Sequence, residues 1–210
     1  MTIHPSVTYA FDAYCGWCYG FGPAVRAFAE ANADRIQLDV VCGPLFTGSQ
    51  ARAVGTFPHI PEATKRIEEL TGVTFGAGYM RTVADGSTVL NSVDAAAGVL
   101  ALRSQDHVRP LDAAAAVQHA WAVDGRDLSN PLVYREIAET LHLDADAVVA
   151  AFADPATRIR VQAGFRRVRQ LGVDSYPTLL LHTKHGVRRL GGPTSTAEML
   201  TRAFDDSLVA

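Results

Sequence analysis

The chain has almost no surplus charge. Its 19 Lys and Arg against 22 Asp and Glu leave a formal net charge of -3. That removes the electrostatic case for nucleic acid or an anionic membrane surface, both of which are recognised through a basic excess. No apolar stretch approaches the roughly 20 residues that cross a bilayer. The opening MTIHPSVTYAFD has no basic start followed by a long apolar run. No secretory signal is read there, and a cytoplasmic protein is expected. Cysteine is scarce as well: Cys15, Cys18 and Cys42 are the full set of 3. A disulfide-stapled secreted domain carries an even and larger number. No repeat and no low-complexity linker breaks the chain. Its 210 residues, 48% hydrophobic and 20% charged, suit one domain, or one domain with a large insertion.

What is present is a pattern change. Val7, Tyr9 and Phe11 alternate with Thr8 and Ala10, which predicts a short buried strand. From about Cys15 to Ala33 the pattern turns helical, with Val25, Phe28 and Ala29 on one face. Ile36, Leu38, Val40 and Cys42 then alternate with Gln37, Asp39 and Val41, a second strand. Strand, helix and strand with tight joints make a βαβ unit, whose strands are parallel. A turn-rich loop follows, opened by the strand breaker Gly43-Pro44. From about Glu62 to Gly172 the chain is Ala-rich and helical. Asn130, Asp144 and Asp154 are expected N-caps, with Pro131 and Pro155 at first helical positions and Gly172 as the last stop. YPTLLLH returns to strand and GVRRLGG to a shorter one. Ser195 and Glu198 form a capping-box pattern before a final helix. Its expected inner face is Met199, Leu200, Ala203 and Phe204.

The two cysteines of YCGWCYGFGP lie where the first strand hands over to the first helix. Thiol–disulfide exchange needs a thiolate that attacks and a second thiol that resolves the mixed disulfide. Two intervening residues at a first helical turn bring both sulfurs within bridging reach. The helix start supplies unpaired N–H groups and a positive dipole end, which stabilise a thiolate at Cys15. Cys18, one turn in, is expected to be the more buried thiol. The expected roles follow: Cys15 attacks and Cys18 resolves. A zinc half-site would need a second ligand pair, and Cys42 has no close histidine in sequence. No metal is therefore expected. Two inert buried thiols are the other alternative. Cys42 itself reads as a core residue of the second strand.

Cys15-Gly-Trp-Cys18, Pro23 and Tyr176-Pro177-Thr-Leu-Leu-Leu181 stand in the order in which the thioredoxin fold carries its landmarks. The helical block between βαβ and ββα, with the stretch from Ala120 to Asp144, resembles the DsbA-like branch. More narrowly, the chain is similar to the cytosolic DsbA-family proteins known as predicted protein-disulfide isomerases. The resemblance covers nearly the whole chain. It implies an α/β thioredoxin-like fold spanning 1–46 and 173–210 with part of a helix at 155–172. It also implies an all-helical insertion over 62–172 and a connecting loop over 47–61. The implied activity is thiol–disulfide exchange or isomerisation on a disulfide- or thiol-containing protein or small molecule. Glutathione is an optional co-substrate, and no other cofactor is implied. Pro177 is expected to follow a cis bond and to line the substrate edge with Tyr176 and Trp17. A second implied reading is a glutathione-dependent isomerase or transferase of small molecules, though such enzymes have a serine near the place of Cys15.

The chain departs from the family pattern at one buried position. Tyr9 stands where a carboxylate is usual, six residues before the first cysteine, and the nearest acid is Asp12. Asp12 and Tyr14 are therefore the candidate modulators. The dipeptide is Gly-Trp, without the histidine of DsbA, which implies a milder potential. Remaining residues have ordinary explanations. His107, His119 and His142 suit surface or capping roles, and His182 and His185 are expected in solvent. Arg166, Arg167 and Arg169 read as a solvated face, with an acidic ligand as the alternative. FGAGYMRT lacks the preceding strand and the lysine of a phosphate loop.

Overall fold

The computed structural model describes residues 5–105 and 108–209. His107 and residues 1–4, on which two of the expectations above fall, lie outside that range. The described elements run β1 Ser6–Phe11, α1 Gly16–Ala31, β2 Gln37–Cys42, α2 Ile60–Thr71, α3 Ala77–Asp85, α4 Ser92–Leu102 and α5 Pro110–Ala122. They continue with α6 Pro131–Thr140, α7 Ala145–Ala153, α8 Pro155–Gln170, β3 Thr178–Thr183, β4 Gly186–Gly191 and α9 Ala197–Val209. Two short 3-10 turns, Gly48–Gln50 and Val54–Thr56, occupy the connecting loop. The first helix of the inserted block starts at Ile60, two residues before the expected boundary at 62.

The strands form one sheet in the order β2-β1-β3-β4. β1 pairs parallel with β2 and antiparallel with β3, and β3 pairs antiparallel with β4. This is the DsbA-like thioredoxin architecture, βαβ then ββα with helices inserted between them. Both faces of the central strands are covered. Val7, Tyr9 and Phe11 face a core shared with Phe21, Phe28, Leu200 and Phe204 of α1 and α9. Ala10, Val41 and Leu180 face Val168 and Val173, at and just after the end of α8. Burial on two sides explains why Val40 and Val41 are both buried although they alternate along β2.

Local signals placed several helix starts. The side chains of Asn130, Asp144 and Asp154 accept from the N–H groups of Leu132, Ala147 and Ala156. Each such cap typically contributes about 1 kcal/mol. Asn91 caps α4 in the same way. At α9 the expectation fails by one residue. Thr196, not Ser195, accepts from Met199 N–H, while Ser195 Oγ accepts from Gly192 N–H in the preceding turn. Met199 accordingly faces solvent, and Leu200 and Phe204 carry the inner face. His182 also departs from expectation. Its Nε2 lies 2.8 Å from Thr8 Oγ1 across the β1–β3 pairing, so it is half-buried rather than solvated. The glycines of FGAGYMRT serve packing. A Cβ at Gly76 or Gly78 would come within 2.2 Å of the carbonyl oxygens of Val123 and Asp124.

Candidate active site

β1 ends at Phe11, and three residues later the chain enters α1 with Cys15 as its N-cap. Cys15 has extended backbone geometry, φ -73° and ψ 110°, so its side chain folds back over the first helical turn. Its Sγ accepts from Cys18 N–H at 3.3 Å. That bond strengthens as charge develops on the sulfur. The Cys15 thiol also donates to the Tyr176 carbonyl at 3.5 Å. The Tyr176–Pro177 bond is cis, as its place in the sequence predicts. The Tyr176 carbonyl, on the expected substrate edge, is thus occupied by the Cys15 thiol, and a substrate strand would have to take it over.

The two thiols are unequal. Cys18 is fully enclosed, whereas Cys15 retains 7% of its surface. Burial first, then the hydrogen bond and charge of Cys15, push the Cys18 thiol well above the ordinary thiol range. Cys42 is also a free thiol, half-buried at the end of β2 opposite Phe11.

Two acid–base positions differ from a simple transfer. Tyr9 is buried, and its hydroxyl donates to the Cys18 carbonyl at 3.2 Å. Burial holds it as a neutral phenol, so it supports the helix turn and takes up no proton. Asp12 is the buried carboxyl of the site, 1% exposed. Its two oxygens accept from Tyr14 N–H at 3.0 Å and Leu45 N–H at 3.2 Å. Burial outweighs the Ser92 side chain and those two backbone bonds and pushes Asp12 up to about 6. Its charge in turn raises Cys18 further.

Tyr14 makes no hydrogen bond to either sulfur. Its ring packs edge-on against Trp121 at 5.1 Å and Phe46 at 6.2 Å. Trp121 continues through Tyr79 and Phe75 to Tyr19, with centroids 5.4, 4.7 and 5.1 Å apart. This aromatic chain ties the cysteine turn to α3 and α5. Sequence reasoning missed it because its members lie far apart along the chain; their only local signal is that each is aromatic. Trp17 is half-buried and lines an open groove of about 600 Å³ with His59, Glu62, Lys65, Arg66 and Glu69 along α2. It faces both the groove and the helical block.

Two glycines let the site close. A Cβ at Gly16 would meet Ile67 Cδ1 of α2 at 2.8 Å. A Cβ at Gly43 would overlap the Tyr176 ring at 2.1 Å. Gly43 is therefore more than a strand breaker: it is the floor on which Tyr176 lies. Among the described residues, no group of three or more His, Cys, Asp or Glu is placed to hold a metal. No described helix is long and apolar enough to cross a membrane.

A family model for the DSBA-like thioredoxin domain matches residues 6–200. No curated protein matches the chain. Among solved structures, cytosolic disulfide reductase DsbM from Pseudomonas aeruginosa is 26% identical with a TM-score of 0.82, covering 98% of this chain and 100% of its own. The same protein with GSH gives 26% identity and a TM-score of 0.78, over 98% of this chain and 100% of its own. A structure from Nitrosomonas europaea, 20% identical with a TM-score of 0.84 over 99% of this chain and 98% of its own, supports the fold alone.

Proposed function

The chain belongs to the DSBA-like thioredoxin domain family, and on that premise we propose that it is a cytoplasmic thiol–disulfide oxidoreductase with isomerase-like chemistry. The observation that carries this reading is the Cys15 sulfur at the N-cap of α1, bonded by Cys18 N–H with the Cys18 thiol directly behind it. In the reducing direction, Cys15 thiolate attacks one sulfur of a substrate disulfide. An S–S bond forms between Cys15 and that sulfur, and the other substrate sulfur leaves as a thiolate that takes up a proton. Cys18 then loses its proton and attacks Cys15 Sγ. The Cys15–Cys18 bond forms, the mixed disulfide breaks, and the substrate leaves as a dithiol, reduced by two electrons. Two thiols of glutathione restore the pair and leave as glutathione disulfide. The likeness to DsbM, solved with GSH, supports glutathione as that co-substrate. The reverse sequence oxidises a substrate dithiol.

Trp17, Tyr176 and Pro177 form the substrate contacts in this reading, with a disulfide- or thiol-containing protein or small molecule as partner. Asp12 modulates the second step. Its negative charge opposes the Cys18 thiolate, so neutralising Asp12 eases resolution. Tyr14 modulates indirectly, by holding the turn against Trp121.

The test is trapping. Cys18→Ser treated with glutathione disulfide is expected to gain one glutathionyl group on Cys15, and Cys15→Ser none on either active-site residue. Wild type at graded glutathione poise is expected to show a Cys15–Cys18 disulfide by mass. Absence of that disulfide at every poise sinks the proposal.

A further inference from the structure

A cleft of about 400 Å³ opens between β2, α4 and α8, where β2 is the outer strand of the sheet. Its lining carries Arg103, Arg160 and Arg167 against a single acid, Asp39. Asp39 accepts from Arg167 at 2.6 Å and from Arg103 at 3.4 Å. Arg103 also donates to the Val40 carbonyl at 2.6 Å, covering an acceptor of the edge strand. One carboxylate therefore answers one of three guanidinium charges. Arg160 is exposed, and among the described residues its hydrogen-bond partner is Thr157 Oγ1 on its own helix, at 2.8 Å. The local surplus is positive in a chain whose net charge is -3.

Gly164 is an independent observation. It lies inside α8, between Arg160 and Arg167, and lines the same cleft. Glycine destabilises a helix interior relative to alanine. Its φ is not positive, and a Cβ built on it would meet nothing within 4 Å. Neither backbone conformation nor close packing explains it. What a side chain would remove there is cleft volume between two guanidinium groups.

We propose that this cleft binds a small organic polyanion, whose carboxylates or phosphate pair with Arg160 and Arg167 and whose carbon skeleton crosses Gly164 onto Leu100 and Val161. The planar guanidinium fork suits both oxyanion types bidentately. Asp39 and Arg103 hold the wall of the cleft to β2. Cys42 lines it too, but burial pushes its thiol up to about 12, so the site binds without covalent chemistry at neutral pH. None of its residues belongs to the Cys15 turn, and the inference does not rest on the redox reading.

Calorimetric titration of the full chain with citrate and with phenyl phosphate, at constant ionic strength, tests this. One or both are expected to bind at a single site with Kd below about 1 mM, within the range a few charge-assisted bonds supply. Citrate alone identifies a polycarboxylate ligand, and phenyl phosphate alone a phosphate ester. Arg160→Gln is expected to weaken binding at least tenfold and Gly164→Leu to abolish it. Both variants are expected to keep their cooperative melting and their rate of insulin reduction. Failure of both probes to bind wild type, or undiminished binding by folded Arg160→Gln or Gly164→Leu, overturns the proposal.

Discussion

Around the Cys15 turn, glycine stands where a neighbour leaves no room for a side chain; in the cleft beside β2, glycine stands where nothing fills the space. Gly16 is pressed by Ile67 and Gly43 by the Tyr176 ring, whereas Gly164 faces an opening. Charge follows the same division. The turn holds one buried carboxyl, Asp12, with its oxygens on backbone N–H groups. The cleft holds an arginine surplus at the surface. The difference teaches that burial does the chemical tuning in the first region. In the second, one carboxylate is shared by two arginines and solvent access leaves Arg160 open to a ligand. The same residue type carries opposite meanings, and only its neighbours decide which.

The largest break of this contrast is Gly43→Ala. Its Cβ would sit 2.1 Å from ring atoms of Tyr176, so the whole ring has to shift. Overpacking of this kind costs about 1–3 kcal/mol. The expected result is a lower urea midpoint together with loss of the Cys15–Tyr176 register and of insulin reduction. A wild-type midpoint with full activity would show that Tyr176 moves freely.

Asp12→Asn is next, and its sign depends on pH. Asp12 is raised in the folded state to about 6, above its unfolded value of about 3.9. Its contribution favours folding fully below about pH 4 and is lost as pH rises through about 6. Wild type therefore loses on the order of 2–3 kcal/mol from this group between those limits. Asn offers only one acceptor to the two N–H groups, which offsets part of the gain. The expected outcome is that the stability of Asp12→Asn relative to wild type rises from pH 4 to pH 7. The Cys18 thiol should also ionise more readily and the pair become more oxidising. A pH-independent difference would remove Asp12 from the acid–base account.

Gly16→Ala is expected to act less strongly, because the atom it meets is the tip of a flexible Ile67 side chain. A cost of about 1 kcal/mol is expected, relieved when combined with Ile67→Val. A double-mutant cycle measures that coupling. Smallest, and of opposite sign, is Gly164→Ala. The open space should accept the methyl group, and the helix should gain about 0.5–1 kcal/mol. Thermal denaturation reads both. If Gly16→Ala stabilises and Gly164→Ala destabilises, the contrast between the two regions is wrong.

Much of this arrangement is legible along the chain. The closeness of Cys15 and Cys18, the helix starts at Asn130, Asp144 and Asp154, and the cis bond before Pro177 are local matters. A capping side chain needs only the next two or three residues, and a proline constrains only its own neighbourhood. The aromatic chain from Tyr14 to Tyr19 is not local. It links residues from α1, the end of the α2–α3 connection, α3 and α5, whose side chains meet only after those helices pack. Met199 and His182 differ from their sequence expectations for a related reason. Local character does not fix exposure: α9 is capped one residue later and Met199 faces solvent, and strand pairing brings His182 to Thr8.

By itself the sequence determined that two thiols share the first turn of a helix, which way the surrounding strands and helices alternate, and where several of them start. These follow from backbone geometry over short spans. Tertiary structure alone decided that Tyr9 stays a neutral phenol, that Asp12 is a buried acid with a raised pKa, and that Gly164 opens onto arginines. Desolvation, close approach and empty space are properties of what lies opposite a residue, and that depends on chain segments far away in sequence.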